Sequence, residues 1–559
     1  MKPFPLLLCI LLAGLVAPVF GKLDGTYMNE AGMTLKTPHA AWDEKGELPH
    51  KKILFIMQQT ASREIIELVQ RFPGFEYEVV LTANEHSIGA DDIYSNPIAG
   101  LSTADKLQEL DAKLAKDYDL VVMANVDFAV LPDEQKFRLM SMVRNGTGLV
   151  RIQSGEPWSE LKKLPYKKPY AQPLPRPEWV AGSNSLPGTR PKNFESRIFN
   201  AWQFGNGRIV EVDYGAGYRP GVGLTPYFNY TTDWFFLYET SQAFLAQVLY
   251  YASGIELPAF SVRQDNGQFA VTSPEKTVAE GRIRQPDNSV IRNSLDFTNL
   301  PAGRYAADVL VRRDGALVNF GAFPFTVESS FGAVSVETPR LVQDRGPFSV
   351  TLKLASPAQD GYSAKVELMD APYRNVWFSK TLPLEAGKKE LSFGLENYRM
   401  PTIGGYLRCT VYDARGHAAH AENPVIFPDY SLEDYLQLTW GQVGCTFNPA
   451  FGERIIDRLG WNVSLQFFSK GDIENALRNE KLCPYICRIG MEAGPNNETR
   501  ILRKLWSEQK ENMERLGTLN GDESFYHPLV RKLWSDDLRR QAEYLKDLSP
   551  VLYNLGDEN

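Results

Sequence analysis

Residues 119–152, "DLVVMANVDFAVLPDEQKFRLMSMVRNGTGLVRI", decide how the first half of the chain is read. The run "LVVMA" is short, apolar and free of polar interruptions, as in a strand buried on both faces. Pro132 and Asp133 then open a helical pattern, "NGTG" closes it, and "LVRI" resumes as a second strand. Strand, helix and strand in this order make a βαβ unit, which calls for parallel strands joined by a covering helix. The alternation continues toward the N-terminus. "KILFIM" (52–57) and "YEVVLT" (77–82) read as strands, and "SREIIELVQRF", with Ser62 as cap, and "ADKLQELDAKLAKD" read as helices. Residues 22–258 are therefore expected to form an α/β domain built on an open parallel sheet.

The whole chain has 559 residues, enough for several domains of roughly 150 residues each. Its net charge of −8 gives no electrostatic case for a nucleic-acid partner. It begins "MKPFPLLLCILLAGLVAPVFGKLDG", a lysine followed by an apolar stretch of about sixteen residues and then small residues, the pattern of a secretory signal peptide. A membrane anchor is the alternative, but the stretch falls short of the ~20 residues a span needs. Residues 1–21 are thus expected to be removed, leaving a secreted or periplasmic protein with no membrane association. The mature chain should begin near Lys22, because Val19 and Gly21 fit a signal peptidase; N-terminal sequencing of exported material checks this, and a start at Met1 contradicts it.

Four cysteines follow the leader: Cys409, Cys445, Cys483 and Cys487. Their three possible pairings are equivalent in sequence terms. "CPYIC" lies in a strand-like run, where buried structural thiols are favoured over metal or redox chemistry. His417 and His420 in "GHAAH" follow a turn and are read as solvated rather than as metal ligands. No metal and no cofactor is expected.

From about Ala259 the grammar changes. "SVIRNSLDFTNLPAGRYAADVLVRRDGALVNFGAFPFTV" alternates apolar and polar residues between turn signals, and "FSVTLKLASP", "AKVELMD", "KKELSFGL" and "GYLRCTVYDARG" repeat the style. Residues 259–330 and 331–429 are expected to be two β-sandwich modules of the immunoglobulin or fibronectin kind.

After Tyr430 the βα alternation returns. "EDYLQLTWGQVG", "NVSLQFF", "KLCPYICRIG" and "PVLYNLGDEN" read as strands separated by helical stretches, among them "AFGERIIDRLG" and "RILRKLWSEQKENMERLG". Successive βα steps imply the first half of a (β/α)8 barrel over residues 430–559. Chemistry in such barrels gathers at the carboxyl ends of the strands. Those ends carry Trp440, Gln442, Glu492, Asp557, Glu558 and Asn559.

Two stretches carry resemblances. Residues 119–152, with "FGNGRIVEVDYG" further on, resemble the glutamine-amidotransferase-like accessory domain of beta-galactosidase-type and related bacterial glycoside hydrolases over roughly 200 residues. A working amidotransferase needs a cysteine nucleophile with a histidine partner. No cysteine occurs between Cys9 and Cys409, so that reaction is excluded and the resemblance implies a scaffold. "LYNLGDEN" resembles the fourth-strand end of retaining barrel glycoside hydrolases, where the acid/base carboxylate lies. The resemblance assigns that role to Glu558. Those families usually carry Asn before the Glu; here Asp557 stands there and is a minor catalytic candidate.

A retaining mechanism needs a second carboxylate about 5–5.5 Å away as nucleophile. In the resembled enzymes it lies at strand seven, which these 559 residues do not reach. The chain is accordingly expected to be truncated within the barrel and inactive in this form, unless Glu492, Asp522 or Glu523 supplies the missing group. Trp440, Gln442, Glu492 and Asn559 are the substrate-binding candidates, Trp440 through its apolar ring face. For each there is a plainer role: Trp440 as barrel core, Glu492 as a solvated side chain, "GDEN" as a polar turn. The expected function is an exported beta-galactosidase-like glycoside hydrolase acting on oligo- or polysaccharide. The alternative is a non-catalytic, secreted carbohydrate-binding or cell-surface protein. Carbohydrate is the expected partner under either reading, and self-association of a half-barrel leaves an oligomer open.

Overall fold

The computed structural model describes residues 33–58, 61–84, 86–91, 102–152, 199–212, 223–225, 234–286, 288–328, 332–370, 375–416 and 418–427. Beyond these it describes the short stretches 438–439, 463–464, 486–488, 535–536, 539, 543 and 552–554. The expected leader, residues 1–21, lies outside the described residues. The protein is multidomain and sheet-rich, with few helices, and divides into two compact units: residues 1–298 with 304–325, and residues 299–303 with 326–559.

The first unit opens on strands β1 (Lys51–Gln58), β2 (Phe75–Thr82), β3 (Leu120–Ala124), β4 (Gly148–Ile152), β5 (Phe199–Phe204) and β6 (Gly207–Val212). They form one sheet in the order β2-β1-β3-β4-β6-β5. All neighbours are parallel except β5 and β6, which pair antiparallel. The parallel sheet read from sequence is therefore mixed at one edge. The reason is local: "FGNG" turns the chain back at once, with Gly205 at φ 59°, so β6 returns as a hairpin partner instead of through a helix.

Helices α1 (Arg63–Arg71), α2 (Thr103–Leu114), α3 (Asp133–Asn145) and α4 (Trp234–Ala252) accompany the sheet. Alternate residues of each central strand enter different cores. Ile53, Phe55, Met57, Leu120, Val122 and Ala124 meet residues of α1 and α4, while Leu54, Ile56, Val121 and Met123 meet residues of α2 and α3. This double burial explains the unbroken apolar runs. Ser62 does not cap α1 through its side chain, whereas Ser102 caps α2 by accepting from the Asp105 N–H at 3.1 Å.

Residues 261–327 add a hairpin, β7 (Ser261–Asp265) with β8 (Gln268–Thr272), and a four-stranded sheet. That sheet contains β9 (Thr277–Arg284), β10 (Val290–Arg292), β11 (Gly303–Arg313) and β12 (Ala316–Val327), ordered β10-β9-β11-β12. One side of β11 packs Val309 and Val311 against Phe260, Val262 and Val271. The other side belongs to the α/β layer, where Leu317, Phe320 and Ala322 share a core with Trp42, Phe72 and Tyr250. The stretch expected as a first sandwich is a four-stranded sheet with the hairpin packed on one face, while its other face shares the α/β core. Protein 22–258 should accordingly fail to fold, and protein 22–325 should fold cooperatively; far-UV circular dichroism and chemical unfolding of the two check this.

In the second unit, β13 (Val334–Glu337), β14 (Phe348–Leu354) and β17 (Glu390–Leu395) form one sheet. The other contains β15 (Ser363–Met369), β16 (Val376–Pro383), β18 (Gly404–Tyr412) and β19 (Ala418–Ile426), ordered β16-β15-β18-β19. Val350, Leu352, Val366, Leu368, Leu407 and Val411 fill the space between them, giving a two-sheet sandwich. Later in the chain, β20 (Leu438–Thr439) pairs parallel with β21 (Val463–Ser464), and β22 (Ile486–Arg488) pairs parallel with β23 (Leu552–Asn554). Most of the helical stretches and the rest of each strand of the expected half-barrel lie outside the described residues. Among the described residues no helix is long and apolar enough to cross a membrane.

Candidate functional site

All the site residues expected from sequence — Trp440, Gln442, Glu492, Asp557, Glu558 and Asn559 — lie outside the described residues. The strands leading to them are described. Trp440 directly follows β20, and Glu492 and Glu558 each stand four positions beyond the last residues of β22 and β23, Arg488 and Asn554. Those two residues are register partners in a parallel pair. The described ends of both strands therefore lie on the same side.

The densest polar chemistry among the described residues was not singled out from sequence. It is a buried relay of charges in the first unit. Arg63 donates through Nε to Glu67 Oε1 at 2.8 Å, and Arg71 donates through Nη1 to Glu67 Oε2 at 2.8 Å. The Arg71 Nε then donates to Glu239 Oε2 at 2.9 Å, and its Nη2 donates to Oε1 of the same carboxylate. Asn288 Nδ2 donates to Glu239 Oε1 at 3.3 Å and itself accepts from Arg284 Nη1. Arg284 grips both oxygens of Asp308, at 2.6 and 2.7 Å. Arg63, Glu67, Arg71, Glu239, Arg284 and Asp308 are all buried, three cations against three anions.

Burial alone would push the Glu67 carboxyl up, but Arg63 and Arg71 outweigh it and hold the group below the usual carboxylate range. Burial likewise disfavours the Arg71 and Arg284 cations, and their carboxylate partners more than restore them. The N-terminal segment completes the relay: Thr37 Oγ1 donates to Glu67 at 2.7 Å, Trp42 Nε1 to Glu239 at 3.3 Å, and the Leu35 carbonyl accepts from Arg63 at 2.7 Å. A relay this closed joins helices to sheet; it has no open position for a substrate.

Glu64 stands apart from it. Its Oε2 accepts from the backbone N–H of Leu224 at 2.5 Å and of Thr225 at 2.9 Å, while Oε1 is buried without a hydrogen-bond partner. Desolvation outweighs these donors and pushes the carboxyl up to about 7. Directly after β3 comes Asn125, a left-handed residue at φ 49° whose carbonyl accepts from Gln58 Nε2 at 3.1 Å.

In the second unit, a cavity of about 220 Å³ is lined by Leu352, Leu354, Leu384 and Leu391 with Glu385 and Lys388 at its rim. Lacking an aromatic face, it makes no sugar platform. Cys409 is buried, its thiol pushed up to about 12 by desolvation, which makes it chemically inert. His420, expected in a solvated turn, instead pairs with Thr410 inside β19, and burial lowers its pKa. His417 lies outside the described residues. The helical signal that could have revealed the relay is the spacing Arg63, Glu67, Arg71, two consecutive i,i+4 ion pairs.

No protein-family profile matches the chain, and no curated protein does. Solved structures give weak, partial likenesses. A beta-glucuronidase of Parabacteroides merdae matches at 15% identity and TM-score 0.20, over 43% of this chain and 30% of that one. The SGBP-B protein of a Bacteroides ovatus mixed-linkage glucan utilization locus, in complex with a mixed-linkage heptasaccharide, matches at 14% identity and TM-score 0.17, over 34% of this chain and 43% of that one. A superoxide reductase of Ignicoccus hospitalis matches at 14% identity and TM-score 0.14, over 17% of this chain and 80% of that one. At such scores the likenesses decide neither fold nor activity.

Proposed function

We propose that this chain belongs to an exported glycoside hydrolase, retaining and beta-galactosidase-like, that acts on oligo- or polysaccharide. Glu558 is its acid/base, with Asp557 beside it, and Trp440, Gln442, Glu492 and Asn559 contact the sugar. The observation that carries this reading is the parallel register of β22 with β23, since parallel strands present their carboxyl ends on one side, where barrel enzymes hold their chemistry. The sequence resemblance at "LYNLGDEN" supplies the role. The α/β layer serves as scaffold, since its chain offers no cysteine nucleophile. The test is a panel of aryl β-glycosides offered to the secreted product of the whole reading frame, with hydrolysis expected for at least one sugar and lost in Glu558→Gln.

A second reading, a non-catalytic carbohydrate-binding protein, is favoured by one feature of the sandwich. Val376 and Trp377 on edge strand β16 are exposed, 47% and 36% respectively, and an indole face suits the C–H side of a pyranose. Under this reading Trp377→Ala abolishes retention on a polysaccharide column, and under the first it leaves hydrolysis of aryl glycosides intact.

A further inference from the structure

The sequence carries four Asn–Gly pairs, beginning at Asn145, Asn206, Asn266 and Asn520. Such a pair is reactive because glycine puts no side chain beside its own nitrogen, which can then attack the asparagine side-chain amide. The attack needs a glycine N–H that is not committed elsewhere and a loop able to bend toward ring closure. The fold grants these unequally to the first three pairs; Asn520 lies outside the described residues.

Two of the three are held. Asn145 ends α3, and the Gly146 N–H donates to the Met142 and Val143 carbonyls, both at 3.1 Å. Asn206 sits in the loop between β5 and β6, where its own N–H donates to the Arg144 carbonyl at 2.9 Å. Gln203 Nε2 clasps that loop by donating to the carbonyls of Gly205 and Gly207 at 3.0 and 2.8 Å. Gly207 is wedged against the end of α3 as well, since a Cβ there would come within 2.1 Å of the Val143 carbonyl oxygen.

Asn266 is different. With Gly267 it makes the whole connection between β7 and β8, both residues left-handed at φ 46° and 81°, as a two-residue hairpin turn requires. Asn266 is exposed, and among the described residues neither its side-chain amide nor the Gly267 N–H has a hydrogen-bond partner.

We propose that Asn266 is a self-modification site, converting to aspartate and isoaspartate with loss of ammonia and thereby unpinning the β7–β8 hairpin. The Gly267 nitrogen gives its proton to solvent and bonds to the Asn266 Cγ; the Cγ–Nδ2 bond breaks, and Nδ2 leaves as ammonia. Water then opens the succinimide, and the Gly267 nitrogen regains a proton where its bond to the attacked carbon breaks. Opening at Cγ gives aspartate; opening at the main-chain carbonyl leaves the chain running through Cγ, which is isoaspartate. Water enters, ammonia departs, and no atom changes oxidation state.

The consequence falls on the hairpin. Isoaspartate adds a methylene to a loop whose length fixes the pairing of Val262 with Val271, and these are the residues the hairpin packs against Phe260, Val309 and Val311. The loop is also seated by its backbone: the Gly267 carbonyl accepts from the Phe297 N–H at 2.7 Å, and the Phe269 N–H donates to the Leu295 carbonyl at 3.0 Å. Either product adds a carboxylate beside Asp265.

Peptide mapping of the full chain, aged in mildly alkaline buffer and labelled with an isoaspartyl methyltransferase, tests this. The tryptic peptide 264–276 should carry the product first, with Asn145 and Asn206 converting about tenfold more slowly, the protection expected of hydrogen-bonded local structure. In denaturant the three sites should convert at similar rates, since each precedes glycine. Asn266→Gln, whose longer side chain closes no five-membered ring, should lose the early product. The Phe269 and Phe297 amides should lose hydrogen-exchange protection in the converted fraction while those of β11 keep theirs. Asn145 or Asn206 converting as fast as Asn266 in the folded chain overturns the inference, as does an Asn266 that leads by the same margin in denaturant. Unchanged protection of Phe269 and Phe297 after conversion overturns it too.

Discussion

Glu239→Ala should destabilise the first unit by about 3–5 kcal/mol, the cost typical of removing one partner from a buried ion pair. Glu239 accepts two hydrogen bonds from Arg71 and one each from Trp42 and Asn288, all inside the core. Truncating it leaves the Arg71 Nε and Nη2 donors without their acceptor where water cannot reach, while Nη1 keeps only Glu67, which Arg63 shares. The cost belongs to the orphaned charge, not to the strength of the pair. Replacing both partners, as in Arg71→Met with Glu239→Leu, should therefore recover much of the loss. Chemical unfolding of protein 22–325 measures both, with Trp42 fluorescence reporting the relay itself. Equal destabilisation by the single and double variants would contradict the explanation.

The second large effect concerns Glu558. In the protein carrying all the strands that the resemblance requires, Glu558→Gln should slow hydrolysis of substrates with poor leaving groups by about 10²- to 10⁴-fold, the usual worth of general acid–base assistance. Activated aryl glycosides, which need little protonation, should suffer far less. Added azide should partly restore turnover by attacking the glycosyl-enzyme without base help, giving a product of retained configuration. Asp557→Asn is the comparison: if it shows the leaving-group dependence and Glu558→Gln does not, the acid/base is the earlier residue.

Much of the α/β layer was legible because its strands are buried on both faces. "LVVMA" and "ILFIM" have no polar interruption, as strands covered on both faces require. The seven-stranded sandwich was legible for the complementary reason: its strands alternate, Val350, Leu352 and Leu354 facing inward and Ser349, Thr351 and Lys353 more exposed. What sequence hid was long-range. Residues 261–327 alternate like a sandwich sheet, and local pattern does not tell whether the inner face meets a second sheet or, as Phe320 does, the aromatic rings of Trp42 and Phe72.

The polar face of α1 was hidden in the same way. Glu64 and Arg71 take partners more than 150 positions away, which no local pattern shows. Ser62 precedes the helix as a cap should, yet it sits in helical backbone at φ −59°, ψ −26°, without a side-chain cap bond. For the catalytic candidates, sequence spacing identified the strand ends that β20, β22 and β23 occupy. The roles of Glu558 and Trp440 rest on resemblance and on ring and carboxylate chemistry.

The measurement that bears most directly on the proposed function is the anomeric configuration of the first product released by the protein from an aryl β-glycoside, followed by proton NMR before mutarotation. A double displacement through Glu558 and a second carboxylate predicts the β-anomer first. Initial release of the α-anomer, or saturable oligosaccharide binding with no hydrolysis across the whole β-glycoside panel, would contradict it.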